Sequence, residues 1–309
     1  MNAATLHAPP APVGIVGLGL VGSAIAQRLR AAGHATLGFD LRPEARNAFD
    51  EAGGQAVATL AEMAVRCEIV VLAVFETRDV LQVTEGADGL LSRANAIRAL
   101  VDCSTGTPDL LAALATRLQA RGIDFVEAPL SGSSQQIEQG EATVLMGGEA
   151  AAIARCSSVL DALSTHRIHV GGAGFGAKAK LATNLVLGLN RAVLAEGLVF
   201  AEQLGIAPQT FLELVLATPA RSAAAEAKGR MMVEGQFAPQ SRIRQHLKDV
   251  DLMLSRAEAA GQCLPLSQVH AELLRRAVEA GDGELDNAAI VRQMRREGTP
   301  PAASRSSSS

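Results

Sequence analysis

Six residues near the start of the chain, Gly17-Leu18-Gly19-Leu20-Val21-Gly22, have the spacing of a loop that could cradle phosphates. Each glycine meets a separate demand. The first permits a tight turn, the second lets the backbone approach a ligand, and the third lets a strand and the next helix pack closely. The β-rich run Val13 to Val16 precedes the loop, and a helical stretch, Ser23 to Ala32, follows it and stops at Gly33. That order aims a helix N-terminus, with its free N–H groups and positive dipole end, at the phosphates. A second short strand, Ala35 to Phe39, leads into Asp40, about twenty residues on, where a carboxylate would hold the hydroxyls of a ribose. Together these features point to dinucleotide binding. Asp40 would repel a 2′-phosphate, which favours NAD and leaves NADP possible. Arg42 could pair with a phosphate, stack on an adenine, or lie solvated in the loop beside Pro43.

The elements that must position this loop alternate along the first half. Glu68 to Val74, Ile97 to Val101, Ile123 to Val126 and Thr143 to Met146 read as buried strands. Helical stretches such as Asp109 to Ala120 and Ala150 to Leu163 separate them. This pattern predicts an α/β, Rossmann-type doubly wound parallel sheet covered on both faces. After the glycine cluster Gly171-Gly172-Ala173-Gly174 the pattern becomes all-helical. Ala177 to Leu204 is apolar nearly all round, which predicts a buried helix. Pro208 to Leu216, Ser241 to Ala260, Leu266 to Ala280 and Asn287 to Arg296 follow as helices. The expected organisation is a flexible leader over 1–12, a dinucleotide-binding domain over 13–172, a helical substrate and dimerisation domain over 173–297, and a disordered Pro- and Ser-rich tail over 298–309.

Composition excludes several classes. The chain has 309 residues, 48% of them apolar, with a net charge of −4 and no long basic run, so a nucleic-acid partner is not expected. No apolar stretch runs the width of a bilayer without charges or glycine, and the start lacks the pattern of a secretory signal. Cys67, Cys103, Cys156 and Cys263 are scattered, with no CxxC and no Cys/His cluster, so no metal site is expected. Buried thiols in a reducing cytoplasm are the expectation.

Four stretches then carry a resemblance. These are GIVGLGLVGSAIAQRLRAAGH around the glycine loop, EAPLSGSSQQIEQGEATVLMGG (127–148), GAGFGAKAKLATN (172–184), and Lys248-Asp249 with Leu252. In this order, from about Val13 to Arg296, the chain resembles the β-hydroxyacid dehydrogenase family, which includes 3-hydroxyisobutyrate dehydrogenase, tartronate semialdehyde reductase and the glyoxylate/succinic semialdehyde reductases. The resemblance implies hydride transfer between NAD(P) and a small 3-hydroxy acid or its oxo partner. It assigns Lys180 as general acid/base, with Asn184 four residues on along one helical face. A buried lysine can fill that role because desolvation lowers its pKa. Lys178, nearby, does not sit four before the asparagine.

The second stretch implies that Ser131, Gly132 and Ser133 hold a substrate carboxylate through hydroxyl and N–H donors. Val74, Thr105 and Lys248 are implied as cofactor contacts, with a solvated helix lysine as the alternative for Lys248. A homodimer or homotetramer acting on a small carboxylate-bearing substrate is expected. Three positions depart from the family: Ser133 replaces Gly, Val74-Phe75 replaces Leu-Pro, and Ser241 replaces an aromatic. They bear on which substrate fits more than on the type of reaction. The alternatives are a 6-phosphogluconate dehydrogenase-like enzyme, for which the helical half is short, an imine reductase, which usually lacks the lysine, and a non-catalytic dinucleotide sensor or scaffold.

Overall fold

Short β-branched runs form the sheet of the first half. In this computed structural model, which describes residues 11–297, the first ten residues and the tail from 298 lie outside the described residues. The chain divides into two compact units between Lys180 and Leu181.

Among the described residues, the first unit holds nine strands: β1 (Val13–Val16), β2 (Thr36–Phe39), β3 (Gln55–Ala56), β4 (Ile69–Leu72), β5 (Ala99–Asp102), β6 (Asp124–Glu127), β7 (Leu130–Ser131), β8 (Thr143–Gly147) and β9 (Arg167–Gly171). Between them run α1 (Leu20–Ala31), α2 (Pro43–Glu51), α3 (Leu60–Arg66), α4 (Thr77–Glu85), α5 (Pro108–Gln119), α6 (Ser134–Gln139), α7 (Ala150–Arg155) and α8 (Ser157–Leu163). The strand order is β3-β2-β1-β4-β5-β6-β8-β7, with β9 also paired to β8. Strand β1 lies between β2 and β4, so the chain reverses its winding there and opens a crevice at the strands' carboxyl ends. One face of the sheet buries Ile15, Leu29 and Val126, the other Leu37, Leu72 and Leu100.

The sheet is dominated by parallel pairs, as expected, and departs from them at one edge. Strand β8 runs antiparallel to both β6 and β7. The link Gly132–Ala142 carries only the short α6, too little chain for a parallel crossover. The helix expected over Ala150 to Leu163 breaks at Cys156 into α7 and α8.

The long helix α9 (Phe175–Gln203) starts in the first unit and continues into the second, which adds α10 (Pro208–Ala217), α11 (Ala223–Glu234), α12 (Ile243–Ala259), α13 (Pro265–Ala277) and α14 (Ile290–Glu297). Leu194, Leu198, Val250, Leu274 and Val291 form this unit's core. Helix α9 is not buried all round, because Val186, Val193 and Phe200 are exposed along one side. By length and composition alone it could cross a membrane, but half of its most apolar window is buried within the fold. Three of its buried side chains are Lys180, Asn184 and Arg191, which marks it as a core helix.

Two polar clusters lie inside the helical unit. Asp286, fully buried, pairs with Lys228 Nζ at 2.9 Å and accepts the backbone N–H groups of Gln240, Ser241 and Ala288 at 2.9, 3.1 and 3.0 Å. The rings of His246 and His270 lie 5.1 Å apart, and burial, with help from the Arg191 charge, pushes His270 down to about 4. An unfolded histidine titrates near 6.5, so as pH falls the unfolded chain takes this proton first. Stability from His270 is therefore complete above about pH 6.5 and is lost as pH drops towards 4, at a cost of up to about 3 kcal/mol. Melting temperatures across that range should fall less steeply for His270→Gln than for the native chain. Parallel curves would contradict the assignment.

Candidate active site

The loop between β1 and α1 shows why glycine stands at each of its three positions. Gly17 has φ of +91°, and a Cβ there would overlap the Ala73 carbonyl oxygen beyond β4. A Cβ on Gly22 would overlap the carbonyl oxygen of Gly17 itself, so helix and turn could not close together. Gly19 differs. Its φ is −77° and an added Cβ would meet nothing within 4 Å. Nothing in the folded chain requires glycine at 19, whereas the close approach of a pyrophosphate would. The loop thus fits a dinucleotide.

Asp40 lies just past β2. Its Oδ2 accepts from Leu18 N–H at 2.8 Å, which ties it to the glycine loop. Arg42 grips the carboxylate with its side chain, at 3.0 and 3.1 Å, and donates its backbone N–H at 2.9 Å. Burial alone would raise the Asp40 pKa, but the Arg42 and Leu18 hydrogen bonds outweigh it and hold the carboxyl below its usual range. Arg42 is thus engaged on Asp40 while its side chain stays largely solvent-exposed.

Beyond β4 and β5, Val74 N–H donates to Ser104 Oγ at 3.1 Å and Thr107 N–H to Thr77 Oγ1 at 2.7 Å. These bonds stitch together the loops that carry Val74 and Thr105. The stretch that the resemblance assigns to the substrate follows β6. Ser131 ends β7, opposite Thr143 of β8, and a Cβ on Gly132 would press on Ala142. Ser133 caps α6: its Oγ accepts Gln136 N–H at 3.3 Å, while its own N–H donates to Gln136 Oε1 at 2.9 Å. Its backbone donor is therefore spent on the cap, and its hydroxyl proton is the part that could reach a ligand.

Lys180 and Lys178 separate sharply. Lys178 is exposed, its ammonium 4.4 Å from the Phe175 ring centroid. Lys180 is 8% exposed, and its Nζ donates to the Leu130 carbonyl at 2.6 Å, one residue before Ser131. The amine is thus held beside Ser131. One helical turn on, Asn184 donates its side-chain N–H to Asp249 Oδ2 at 3.2 Å, and Lys248 pairs with Asp249 Oδ1 at 3.0 Å. The third and fourth sequence motifs meet in this Asn184–Asp249–Lys248 group.

Two buried acids escape sequence reasoning. Asp249 reads there only as a neighbour of Lys248. Glu127 reads as the first letter of a motif, although an acid closing an apolar strand is a signal in itself.

Comparison with known proteins identifies the family. Residues 12–172 match the NAD-binding domain of 6-phosphogluconate dehydrogenase, and residues 174–294 match the NAD-binding domain of NADP-dependent 3-hydroxyisobutyrate dehydrogenase. L-threonate dehydrogenase of Cupriavidus necator is 29% identical over 281 residues, 91% of this chain and 95% of that protein. 2-(Hydroxymethyl)glutarate dehydrogenase of Eubacterium barkeri is 30% identical over 91% of this chain and 93% of its own. A solved structure of 3-hydroxyisobutyrate dehydrogenase from Salmonella typhimurium superposes with a TM-score of 0.82 at 29% identity, covering 91% of this chain and 99% of that one. The fold and these matches define an NAD(P)-dependent oxidoreductase of the hydroxyacid type. The chain belongs to the β-hydroxyacid dehydrogenase family.

Proposed function

We propose that the protein moves a hydride between NAD, in preference to NADP, and a small 3-hydroxy acid or its semialdehyde or oxo partner, with Lys180 as general acid/base. The observation that carries this is the buried Lys180 amine held on the Leu130 carbonyl beside Ser131. In the oxidative direction the substrate hydroxyl gives its proton to neutral Lys180 as the C–H hydride leaves, and a carbonyl forms. When bound, the dinucleotide supplies the hydride acceptor. In reduction, protonated Lys180 returns the proton to the new hydroxyl. Asn184, one turn along α9, orients the amine or the substrate oxygen, and its own amide is oriented by Asp249. The donors of Ser131, Gly132 and Ser133 hold the substrate carboxylate, and Val74, Thr105 and Lys248 contact the cofactor. Asp40, in the ribose position, disfavours a 2′-phosphate, and the Arg42 side chain engaged on it supports NAD further.

Two serines bear on the substrate. Ser133 and Ser241 put hydroxyls where relatives carry bare backbone or an aromatic, which suits a hydroxylated C3–C4 acid of the glycerate or threonate kind over an aliphatic one. The threonate-oxidising relative points the same way. Self-association into a homodimer or homotetramer is supported by the exposed apolar line Val186, Val193 and Phe200, and a cytoplasmic setting by the buried free thiols of Cys67, Cys103 and Cys156. Reduction of NAD+ and NADP+ with threonate, glycerate, 3-hydroxyisobutyrate and a neutral amide analogue tests both preferences. Higher kcat/KM with NAD+ and with the hydroxylated acids is expected. A clear NADP+ preference, or equal activity on 3-hydroxyisobutyrate, would overturn the corresponding half, and activity on the amide would remove the carboxylate clamp.

A further inference from the structure

The carboxylate at the end of β6 grips the helix that carries Lys180. Glu127 is 1% exposed. Its Oε1 accepts Ala177 N–H at 2.9 Å, its Oε2 accepts Gly174 N–H, and Gly176 N–H also bonds to the carboxylate. Gly176 and Ala177 lie in the first turn of α9 and Gly174 just before it, where backbone donors have no intrahelical acceptors. The negative charge also faces the positive end of the helix dipole. Glycines make room for it: a Cβ on Gly176 would come 2.7 Å from Glu127 Cβ, and one on Gly147 2.8 Å from Oε2. Such a tight, fully bonded seat sets the first turn in both height and rotation.

The start of β7, just after this strand, holds the next turn as well. Three residues after Glu127, the Leu130 carbonyl receives the Lys180 amine, and Lys180 lies three residues after Ala177. The segment Glu127–Leu130 therefore holds α9 at two successive points, once by its backbone and once by the reactive amine. We propose that Glu127 is a positioning residue for Lys180: by fixing the first turn of α9 it sets where the amine stands relative to Ser131. This rests on Lys180 being the acid/base. An ordinary buried cap would contribute stability alone.

The test compares Glu127→Gln, Glu127→Asp and Lys180→Ala, with NADH-binding sites counted by fluorescence titration so that turnover is expressed per competent site. Glu127→Gln keeps the shape but turns one acceptor into an NH2 group facing helix donors. Glu127→Asp keeps both acceptors and withdraws them by one methylene. Misplacing a reacting group by about 1 Å costs on the order of a hundredfold. Turnover per site should accordingly fall at least about tenfold in Glu127→Gln and by less in Glu127→Asp, with NADH affinity and KM little changed. If Glu127→Gln does not fold, the partial loss per site in Glu127→Asp decides. Native turnover per site in the folded variants, or a loss confined to the number of binding sites, would overturn the proposal while an inactive Lys180→Ala left the Lys180 assignment intact. An active Lys180→Ala would instead remove that assignment.

Discussion

Lys180→Ala is expected to lower turnover by about two to four orders of magnitude, the usual worth of a positioned acid/base, while NADH affinity stays nearly unchanged. The expectation follows from where the amine sits. It is buried and bonded to the carbonyl of Leu130, the residue before Ser131. In the proposed role, removing it deletes the proton carrier of the chemical step, and an interaction realised there lowers kcat more than binding. Truncating a buried side chain also costs packing, so Lys180→Met, which keeps most of the stem, should be equally inactive and more stable. Turnover near the native value in either variant would remove Lys180 from the mechanism.

The second large effect separates two glycines of one loop. Gly22→Ala should destabilise the chain by about 1–3 kcal/mol or more, the range for overpacking, because the new Cβ strikes the rigid carbonyl of Gly17. Gly19→Ala should leave the stability of the free protein within about 1 kcal/mol, since Gly19 sits at the N-cap of α1 with open space around it. Its Kd for NADH should nonetheless rise at least about tenfold, because the methyl group fills the space into which the pyrophosphate must come. Melting curves and NADH titrations of the two variants give the answer. If Gly19→Ala bound NADH normally, the loop would be a structural turn rather than a phosphate cradle.

Much of this was visible in the sequence because local pattern decided it. The β1 run, the glycine loop and Asp40 follow one another within a single βαβ unit, and each is set by neighbours in the chain. The long α9 was equally plain from a mostly apolar stretch with no turn signal strong enough to break it, although its outward face was not, since Val186, Val193 and Phe200 are exposed only by the direction in which the helical unit packs. Helix α11 was missed. Its small residues and Gly229 weaken the helical pattern, and its clearest local signal is the Ser222 cap, which accepts Ala225 N–H at 3.1 Å. Strand β9 was missed because its residues Arg167, Ile168 and His169 are exposed at the sheet edge.

The polar partnerships were the least legible. Asn184 finds Asp249 across 65 residues, Lys228 finds Asp286 across 58, and Glu127 finds Ala177 across 50. No periodicity encodes such pairings; only the folded topology brings them together. That is also why Glu127 entered as part of a motif and emerged as the anchor of α9.

Hydride transfer itself is tested most directly with a hydroxy acid deuterated at the carbinol carbon, incubated with NAD+ and the native protein, followed by mass analysis of the dinucleotide. Reduced dinucleotide carrying one deuterium from the substrate, formed by the native protein and almost none by Lys180→Ala, is the expected result. Bound dinucleotide that stays oxidised with every acid tried would contradict dehydrogenase activity and leave a non-catalytic dinucleotide sensor in its place.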